Sequence, residues 1–358
     1  MREDRAEDKL LKMLRAVAPG TPLREGLENI LRANTGALIV LGDGSEVMEI
    51  AEGGFAVNAE FTPANLYELA KMDGAIILSA DAKRIIAANT QLIPNLSIPS
   101  TETGIRHRTA ERVARQTNAL VISISQRRSV VTIYKGNLKY VLRDLGVILA
   151  KANQAVQTLE KYRSVLDKVV TDLGILEFED AVTLFDVTRA IQRVEMVLRV
   201  VGEIERYVSE LGTEGRLITM QMEELVANVE PEGLLIIQDY TIAGEDKTPA
   251  QILAMINSWS AEDLLDLALI ARALGYPGNS NILDQSVFPR GYRILNKIPR
   301  LPLPVIENMV RQFKSLKKIL KATIQELDAV EGIGEARARS IKEGLAHYRE
   351  QLYQERHI

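Results

Sequence analysis

The chain has 358 residues, of which 46% are hydrophobic and 26% charged, and its formal net charge is −4. This composition is typical of a globular protein with two or three domains. The lack of cysteine excludes disulfides and cysteine-based zinc sites. The charged N-terminus and the absence of an apolar run near ~18 residues predict neither a secretory leader nor a membrane span, so we expect a cytoplasmic protein.

The charge is unevenly distributed along the chain. Residues 287–358 contain 14 Lys and Arg against 8 Asp and Glu, a net of +6, whereas the rest contains 30 against 40, a net of −10. A basic C-terminal region attached to an acidic body indicates that this region binds a polyanion.

The first 145 residues mix strand and helix patterns. Thr62 and Pro63 are typical of an N-cap and first helical residue, so a short helix follows them. Further helices are predicted at 22–33 and from about 106 to 116. Predicted strands cover 36–42, 74–79, 83–89, 119–125 and 129–136, the last two forming a hairpin. These signals predict an α+β domain over 1–145, a mixed β-sheet flanked by helices.

Helical periodicity dominates after Leu145. Long amphipathic helices are predicted over 145–170 and 183–211, and we assign 146–286 to an all-α linker domain. Residues 287–358 contain two further helical stretches and a Gly-Ile-Gly turn, and we assign them to a third, all-α domain. The fold class is therefore multidomain α+β.

The Gly-Ile-Gly turn, Gly332-Ile333-Gly334, lies between two short amphipathic helices. Its glycines permit left-handed backbone and close approach of another molecule, and the N–H groups that begin the second helix favour an anion. The pattern resembles a helix-hairpin-helix motif, which binds DNA phosphates without reading bases. An ordinary helix turn is the alternative. The candidate DNA-binding residues are Gly332, Ile333, Gly334, Arg337, Arg339 and Lys342.

A weaker second copy of this motif is predicted at 295–310, where Arg300-Leu301-Pro302 replaces Gly-Ile-Gly. Because proline has no N–H donor, we expect this copy to pair structurally with the first rather than to bind phosphate.

Asp73 and Gly74 directly precede a predicted buried strand. The glycine allows a ligand to approach the backbone. Asp73 is a candidate metal ligand, a candidate base that activates a hydroxyl, or a simple turn residue.

The segment from Gly104 to Thr109 gathers positive charge at a predicted helix start. Arg106 and Arg108 can bind phosphate through two hydrogen bonds each, and His107 is a candidate ligand of phosphate or of a divalent metal. In the alternative interpretation, the arginines pair with acidic neighbours such as Glu102 and Glu111. The basic hairpin residues 127 and 128 are either additional phosphate ligands or an exposed turn.

Together these residues match a known family. Asp73-Gly74-Ala75, followed by Arg106-His107-Arg108, resembles the DGA and RHR motifs of diadenylate cyclase domains, and GALIVLGD and ISISQRRSVVTIY look like the same domain. With its helical middle region and C-terminal hairpin motif, the whole chain resembles the bacterial, DisA-type diadenylate cyclases.

This resemblance implies that two ATP molecules form cyclic di-AMP and two pyrophosphates across a face-to-face contact between subunits of a homo-oligomer, an octamer in this family. It implies binding of branched or junction DNA that lowers the cyclase output, a role in DNA repair, and Mg²⁺ or Mn²⁺ as cofactor. It makes Asp73, Arg106, His107 and Arg108 catalytic, with Asp73 and His107 as candidate metal ligands. The implied ATP-binding residues are Asp73, Gly74, Ala75, Leu92, Arg106, Arg108, Thr109, Ser125 and Arg128.

Two positions depart from the family pattern, since Ile105 and Gln126 stand where some members carry threonine and a basic residue. Neither belongs to the DGA or RHR motif, so we expect an active enzyme. Two rival interpretations are a catalytically silent DNA-binding scaffold and a nuclease, which would need a cluster of acidic metal ligands that the sequence does not reveal.

Overall fold

The computed structural model describes residues 2–242, 247–278 and 281–355, with side chains described from residue 9 onward in these ranges. The chain forms two compact units. The first comprises Met1–Gln154 and Glu205–Thr219, and the second comprises Ala155–Ile204 and Met220–Ile358.

The first unit is built on an eight-stranded mixed sheet with the order β2-β5-β4-β1-β6-β7-β8, in which β3 also pairs with β5. β1 and β4 are parallel, and the other pairs are antiparallel. The strands are β1 Ala37–Leu41, β2 Ala51–Glu52, β3 Phe55–Glu60, β4 Ala75–Leu78, β5 Arg84–Leu92, β6 Leu120–Ser125, β7 Val130–Lys135 and β8 Leu138–Val141.

Helices cover both faces of this sheet, which explains why β1 and β4 are continuous apolar runs. On one face, Ile39 and Ile76 pack with helices α1 and α2, while on the other Val40 and Ile77 pack with α5. The helices of this part of the chain are α1 Arg2–Ala16, α2 Pro22–Arg32, α3 Ser45–Met48, α4 Pro63–Leu69 and α5 Ile105–Thr117.

The predicted α+β architecture is confirmed, including the hairpin between β6 and β7 and the pairing of β4 with β5. The hydroxyl of Thr62 accepts a 3.1 Å hydrogen bond from the N–H of Asn65, which confirms it as the N-cap of α4. Helix α1 and the strands β2, β3 and β8 are not revealed by the sequence pattern, since these three strands are short or mostly exposed.

Helices continue from Leu145 to the C-terminal end of the described chain. Both long predicted helices are confirmed, and the first extends further than expected. The domain limits at 145 and 286 remain predictions. The helices are α6 Leu145–Glu179, α7 Leu184–Leu211, α8 Arg216–Val226, α9 Val229–Tyr240, α10 Pro249–Asn257, α11 Ala261–Leu265, α12 Leu267–Ala273, α13 Tyr292–Asn296, α14 Leu303–Phe313, α15 Leu316–Lys321, α16 Ile324–Asp328 and α17 Glu335–Glu355, with short 3-10 helices at Gly212–Gly215 and Ile282–Asp284.

The second unit contains a buried ionic network around Arg293, whose side chain is fully buried. Its guanidinium forms ion pairs with Glu177 on α6 and, at 3.0 Å, with Glu232 on α9. The carboxylate of Asp239 accepts hydrogen bonds of 2.7 to 2.9 Å from three successive N–H groups at the start of α13. The first helix of the C-terminal region is therefore anchored to α6 and α9 by satisfied buried charges.

The C-terminal region contains two helix-hairpin-helix motifs, α13–α14 and α16–α17, packed around one core. Arg300 and Gly332 occupy equivalent left-handed positions, with φ of 62° and 86°. The two motifs contact each other, since the side-chain amide of Asn308 donates a 3.1 Å hydrogen bond to the carbonyl of Glu331. The sequence-based expectation of a paired structural copy therefore agrees with the fold.

Candidate active site and nucleic-acid interface

The first unit contains a pocket of about 1190 Å³ where the start of β4, the end of β5, the start of α5 and the β6–β7 hairpin meet. Eight of the predicted site residues line it. They are Asp73, Gly74, Ala75, Leu92, Arg106, His107, Thr109 and Ser125. From segments far apart in sequence, these eight residues bring one carboxylate, one guanidinium, one imidazole and two hydroxyls to a single cavity, a set of groups expected at a nucleotide phosphate site.

Gly74 is a glycine for a structural reason that the sequence does not reveal. A Cβ there would lie 2.3 to 2.7 Å from the backbone of Asn89 and Thr90 on β5, so no other residue fits without moving that strand. The N–H of Gly74 also donates a 3.2 Å hydrogen bond to Oδ1 of Asn89. The exposed carboxylate of Asp73 thus belongs to a turn whose position is fixed by the contacts of Gly74 with β5.

Arg106 lies against Gly36, which directly precedes β1. A Cβ on Gly36 would lie 2.1 Å from its Nη1, so this glycine makes the space that the guanidinium occupies. Within the described part of the chain no carboxylate pairs with Arg106, and its charge faces the pocket. The alternative interpretation, in which Arg106 serves a structural ion pair, is therefore not supported.

Arg108 and Arg128 do not line the pocket wall. Arg108 is exposed and directs its guanidinium back to the carbonyl oxygens of Glu102 and Thr103, at 3.3 and 3.4 Å. Arg128 is also exposed, at the hairpin tip, where its N–H donates to the hydroxyl of Ser125 at 3.3 Å. In their place, Arg127 lines the cavity.

The two acidic neighbours of the RHR motif have other partners. Glu111 is buried and accepts hydrogen bonds from Arg115 at 2.6 Å and from the hydroxyl of Ser100 at 2.5 Å. Glu102 forms an ion pair with Lys139 and accepts a 2.9 Å hydrogen bond from Tyr134. Burial opposes ionisation of Glu102, but these partners outweigh it and hold the pKa of this carboxyl below its usual value.

His107 is half-buried at the start of α5. Burial is the main cause of a lowered pKa for this imidazole, the charges of Arg128 and Arg106 lower it further, and Glu102 partly opposes them. A lowered pKa keeps His107 neutral at physiological pH, so that it can accept a hydrogen bond or ligate a metal ion.

Pocket residues that sequence reasoning missed come mainly from loops whose position depends on neighbouring strands. Asn34 and Asn89 both adopt left-handed backbone, with φ of 53°, at the pocket wall. An asparagine next to a strand end is a weak signal for this conformation. The other missed residues are Leu38, Thr90, Gln91 and Ser129, whereas Gly104, Ile105, Gln126 and Arg127 were considered in the sequence but not assigned to the site.

A divalent metal ion in this pocket would need ligands beyond its protein side chains. The described residues contain no group of three or more His, Asp or Glu that could hold an ion. Asp73 and His107 supply one carboxylate and one imidazole, so phosphate oxygens and water would complete the coordination shell. The acidic cluster that the nuclease interpretation requires is likewise not found among the described residues.

The Gly-Ile-Gly hairpin presents free donors. Ile333 packs into the core between α16 and α17, and its N–H donates to the carbonyl of Val330 at 3.0 Å. The first N–H of α17 that has an intrachain acceptor in the described structure belongs to Ala338, which donates to Gly334. The preceding N–H groups therefore point to solvent at a helix N-terminus, where they favour a phosphate.

The equivalent hairpin of α13–α14 has fewer of these donors, because among residues 302–305 only Leu303 has an N–H without an intrachain acceptor in the described structure. Residues 302 and 304 are prolines, and the N–H of Val305 already donates to the carbonyl of Pro302 at 3.0 Å. The predicted functional difference between the two copies thus has a clear basis in the backbone.

The basic residues assigned to DNA differ in their availability. Arg337 donates to the carbonyl of Gly332, and Arg339 pairs with Glu335 in an exposed i,i+4 ion pair. Lys342 points away from the hairpin and donates a 2.8 Å hydrogen bond to the carbonyl of Leu320.

Three family models match successive parts of the chain. Residues 24–138 match the family "DisA bacterial checkpoint controller nucleotide-binding", residues 142–283 match "DisA bacterial checkpoint controller linker region", and residues 315–344 match "Helix-hairpin-helix motif". The fold and these matches define a diadenylate cyclase with a helix-hairpin-helix DNA-binding region.

The relatives identify the family. The chain is 68% identical over 345 residues to the DNA integrity scanning protein DisA of Carboxydothermus hydrogenoformans, which covers 96% of this chain and 98% of the relative. It is 60% identical to the protein of that name from Clostridium perfringens, with 97% of each chain covered. The chain belongs to the DisA family of DNA integrity scanning proteins.

A crystal structure of DacA from Staphylococcus aureus is also similar in part. It is 20% identical, covers 39% of this chain and 90% of its own, and has a TM-score of 0.29, which is too low to support a structural argument.

None of the described helices combines the length and apolar character needed to cross a bilayer.

Proposed function

We propose that the chain condenses two ATP molecules into cyclic di-AMP. The 3′-hydroxyl oxygen of each ATP forms a bond to the α-phosphorus of the other, the bond from that phosphorus to the bridging oxygen breaks, and two pyrophosphates leave. The observation that carries this proposal is the shared pocket, in which Asp73 from the start of β4 meets Arg106 and His107 from α5 and Ser125 from β6.

The residues have several distinct roles. Asp73 orients the attacking 3′-hydroxyl or binds a metal ion, and Arg106 and Thr109 hold phosphates at the positive end of the α5 dipole. Gly74 and Ala75 line the nucleotide, and Leu92 packs against the adenine. Arg108 and Arg128 lie outside the pocket wall, so we assign them to the outer part of the triphosphate. His107 is neutral and either donates a hydrogen bond from its ring N–H to a phosphate oxygen or ligates the metal through its unprotonated nitrogen.

Mg²⁺ or Mn²⁺ is the proposed cofactor, with Asp73 and His107 as the protein ligands that would hold it. When bound, such an ion neutralises the charge that develops on the phosphates. The chain's own contribution is to position the two reacting groups and to supply the arginine charge.

The pocket requires a second subunit, because a product with two-fold symmetry needs two identical nucleotides face to face. Ile105 supports this arrangement, since it lines the pocket and yet is 85% exposed. An apolar side chain at this rim is suited to packing against a partner copy. We propose that such pairs belong to an octamer.

The C-terminal hairpin binds the backbone of branched DNA, and this binding lowers the cyclase output. The free N–H groups before Ala338 and the net charge of +6 for residues 287–358 support phosphate binding. A role in DNA repair in the cytoplasm follows from this proposal.

The test is to incubate the full chain with ATP and Mg²⁺ or Mn²⁺, with and without a four-way DNA junction, and to detect cyclic di-AMP by mass spectrometry. We expect product, and less of it with the junction. If the junction binds but no product forms with either metal, the chain is the silent DNA-binding scaffold and the cyclase proposal is wrong.

A further inference from the structure

The second unit contains another pocket, whose lining does not include the hairpin glycines. It has a volume of about 420 Å³ and lies between the C-terminal end of α6 and the helices α15 and α17. We call it the α6–α17 pocket. Its lining residues are Glu177, Phe178, Asp180, Lys317, Leu320, Lys321, Lys342, Leu345, Ala346 and Arg349.

The charge of the α6–α17 pocket is positive after its internal pairs are considered. Glu177 is neutralised by the buried guanidinium of Arg293, and Asp180 is paired with Lys317. Among the residues that the structure describes, no carboxylate pairs with Lys321 or Arg349. Their charges, together with that of Lys342, are available to an anionic ligand.

The floor of the pocket is apolar. Leu320 and Leu345 pack in the C-terminal core, and the partly buried ring of Phe178 lies 6.3 Å from that of Tyr348, tilted by 55°. A floor held by this core is rigid enough to receive a flat ring. Cations at the rim above an aromatic and aliphatic floor fit a ligand that joins phosphates to a base, and the volume suits a small molecule.

We propose that the α6–α17 pocket binds a free nucleoside di- or triphosphate, at a site separate from the catalytic pocket. The phosphates contact Lys321, Lys342 and Arg349, and the base lies on Phe178 and Leu345. The concave shape and the carboxylates of Glu177 and Asp180 in its wall disfavour a DNA backbone, which needs an open, continuously basic surface.

The position along α17 also separates this pocket from the DNA hairpin. Lys342 and Arg349 follow Gly334 by eight and fifteen residues, which corresponds to about 12 and 22 Å along a helix. A nucleotide here would lie against the helices that support the hairpin, without blocking the hairpin itself.

The experiment is an isothermal titration of the full chain with ADP, which cannot be cyclised. We expect the double variant Lys321→Glu/Arg349→Glu to bind one ADP fewer per chain than the unaltered protein, or to bind it at least tenfold more weakly. The variant Ala346→Trp, which fills the pocket without changing charge, should lose the same site. The matched control Arg311→Glu/Lys318→Glu changes two exposed cations outside the pocket and should retain it.

The test compares ADP binding by the pocket variants with ADP binding by the unaltered protein. This difference does not depend on how many ADP molecules the catalytic pocket binds, so failure of the cyclase proposal would leave the test intact. Unchanged ADP stoichiometry and affinity in both pocket variants would overturn the proposal. If those variants keep their ADP but bind a four-way junction more weakly than the control, the surface contacts DNA and the nucleotide assignment is wrong.

Discussion

The side-chain Oδ1 of Asn89 accepts a 3.2 Å hydrogen bond from the backbone N–H of Gly74, across the antiparallel pair β4–β5. Asn89 itself has a left-handed backbone, with φ of 53°. Asn89 is therefore a positioning residue, because it fixes the turn that carries Asp73.

We predict that Asn89→Gly keeps the fold and weakens catalysis. Glycine adopts the left-handed conformation without strain but cannot form the bond to Gly74. We expect kcat to fall by about three- to tenfold, as for the loss of one hydrogen bond. Asn58→Gly is the matched control, since Asn58 is also left-handed, with φ of 47°, but does not line the pocket. Equal kcat in both variants would refute the positioning role.

Asp73→Asn should reduce cyclic di-AMP formation by at least about a hundredfold, because an amide can neither take a proton from the 3′-hydroxyl nor bind a metal ion as a carboxylate does. The exposed carboxylate makes few contacts, so the thermal melting temperature should stay unchanged. Asp43→Asn, on an exposed turn outside the pocket, is the control. A fully active Asp73→Asn variant would refute its role.

The pKa of His107 should be measurable by NMR, and we expect a midpoint below the ordinary value of about 6.5. Arg128→Gln removes a nearby positive charge and should raise this midpoint, whereas Glu102→Gln removes a negative charge and should lower it. Shifts in the same direction for both variants would contradict the assignment.

The lowered pKa of His107 also predicts how the free energy of unfolding changes with pH. The folded protein favours the neutral imidazole, so the contribution of His107 is present above the unfolded pKa of about 6.5 and is lost as the pH falls toward the folded pKa. The free energy of unfolding of the unaltered protein should decrease over this range relative to that of His107→Asn.

Gly334 and Gly332 should respond differently to alanine. No atom lies within 4 Å of a Cβ placed on Gly334, so Gly334→Ala should fold normally but obstruct the phosphate and weaken DNA binding. Gly332 has φ of 86°, and its Cβ would lie 3.3 Å from Val305, so Gly332→Ala should cost about 1–2 kcal/mol in stability. Basal cyclisation should be unchanged in Gly334→Ala. Unchanged DNA affinity in that variant would show that the hairpin is not the binding site.

Arg293→Met should destabilise the second unit by about 3–5 kcal/mol, because Glu177 and Glu232 would remain as buried carboxylates without their shared cation. Chemical denaturation measures this change. Arg311→Met, at an exposed position on α14, should have little effect. A loss below about 1 kcal/mol would show that water reaches the network.

The sequence predicts those elements of the site whose structure depends on interactions between residues close in sequence. The β6–β7 hairpin and the strand after Asp73 follow from strand composition and turn chemistry, and the start of α4 follows from the Thr62 cap. The roles of Gly36 and Asn89 could not be predicted, because both depend on a neighbouring strand or helix that is distant in sequence.

The arginines illustrate the same limit. The spacing placed Arg106 and Arg108 together at one helix start, but successive helical residues point in different directions. Arg106 faces the pocket, whereas Arg108 returns to the carbonyl of Glu102. Which arginine faces the cavity is decided by the space at Gly36, and no periodicity in the sequence encodes that space.

The two hairpins of the C-terminal region are not equivalent as phosphate-binding sites. Several solvent-facing donors precede Ala338 on one side of the pseudo-symmetric pair, while prolines 302 and 304 leave only that of Leu303 on the other. A double helix resting on this pair would be held by a single strand, with the complementary strand left free to diverge. DNA would then have only one orientation on the protein, and a point where strands separate would meet no obstruction from the silent half.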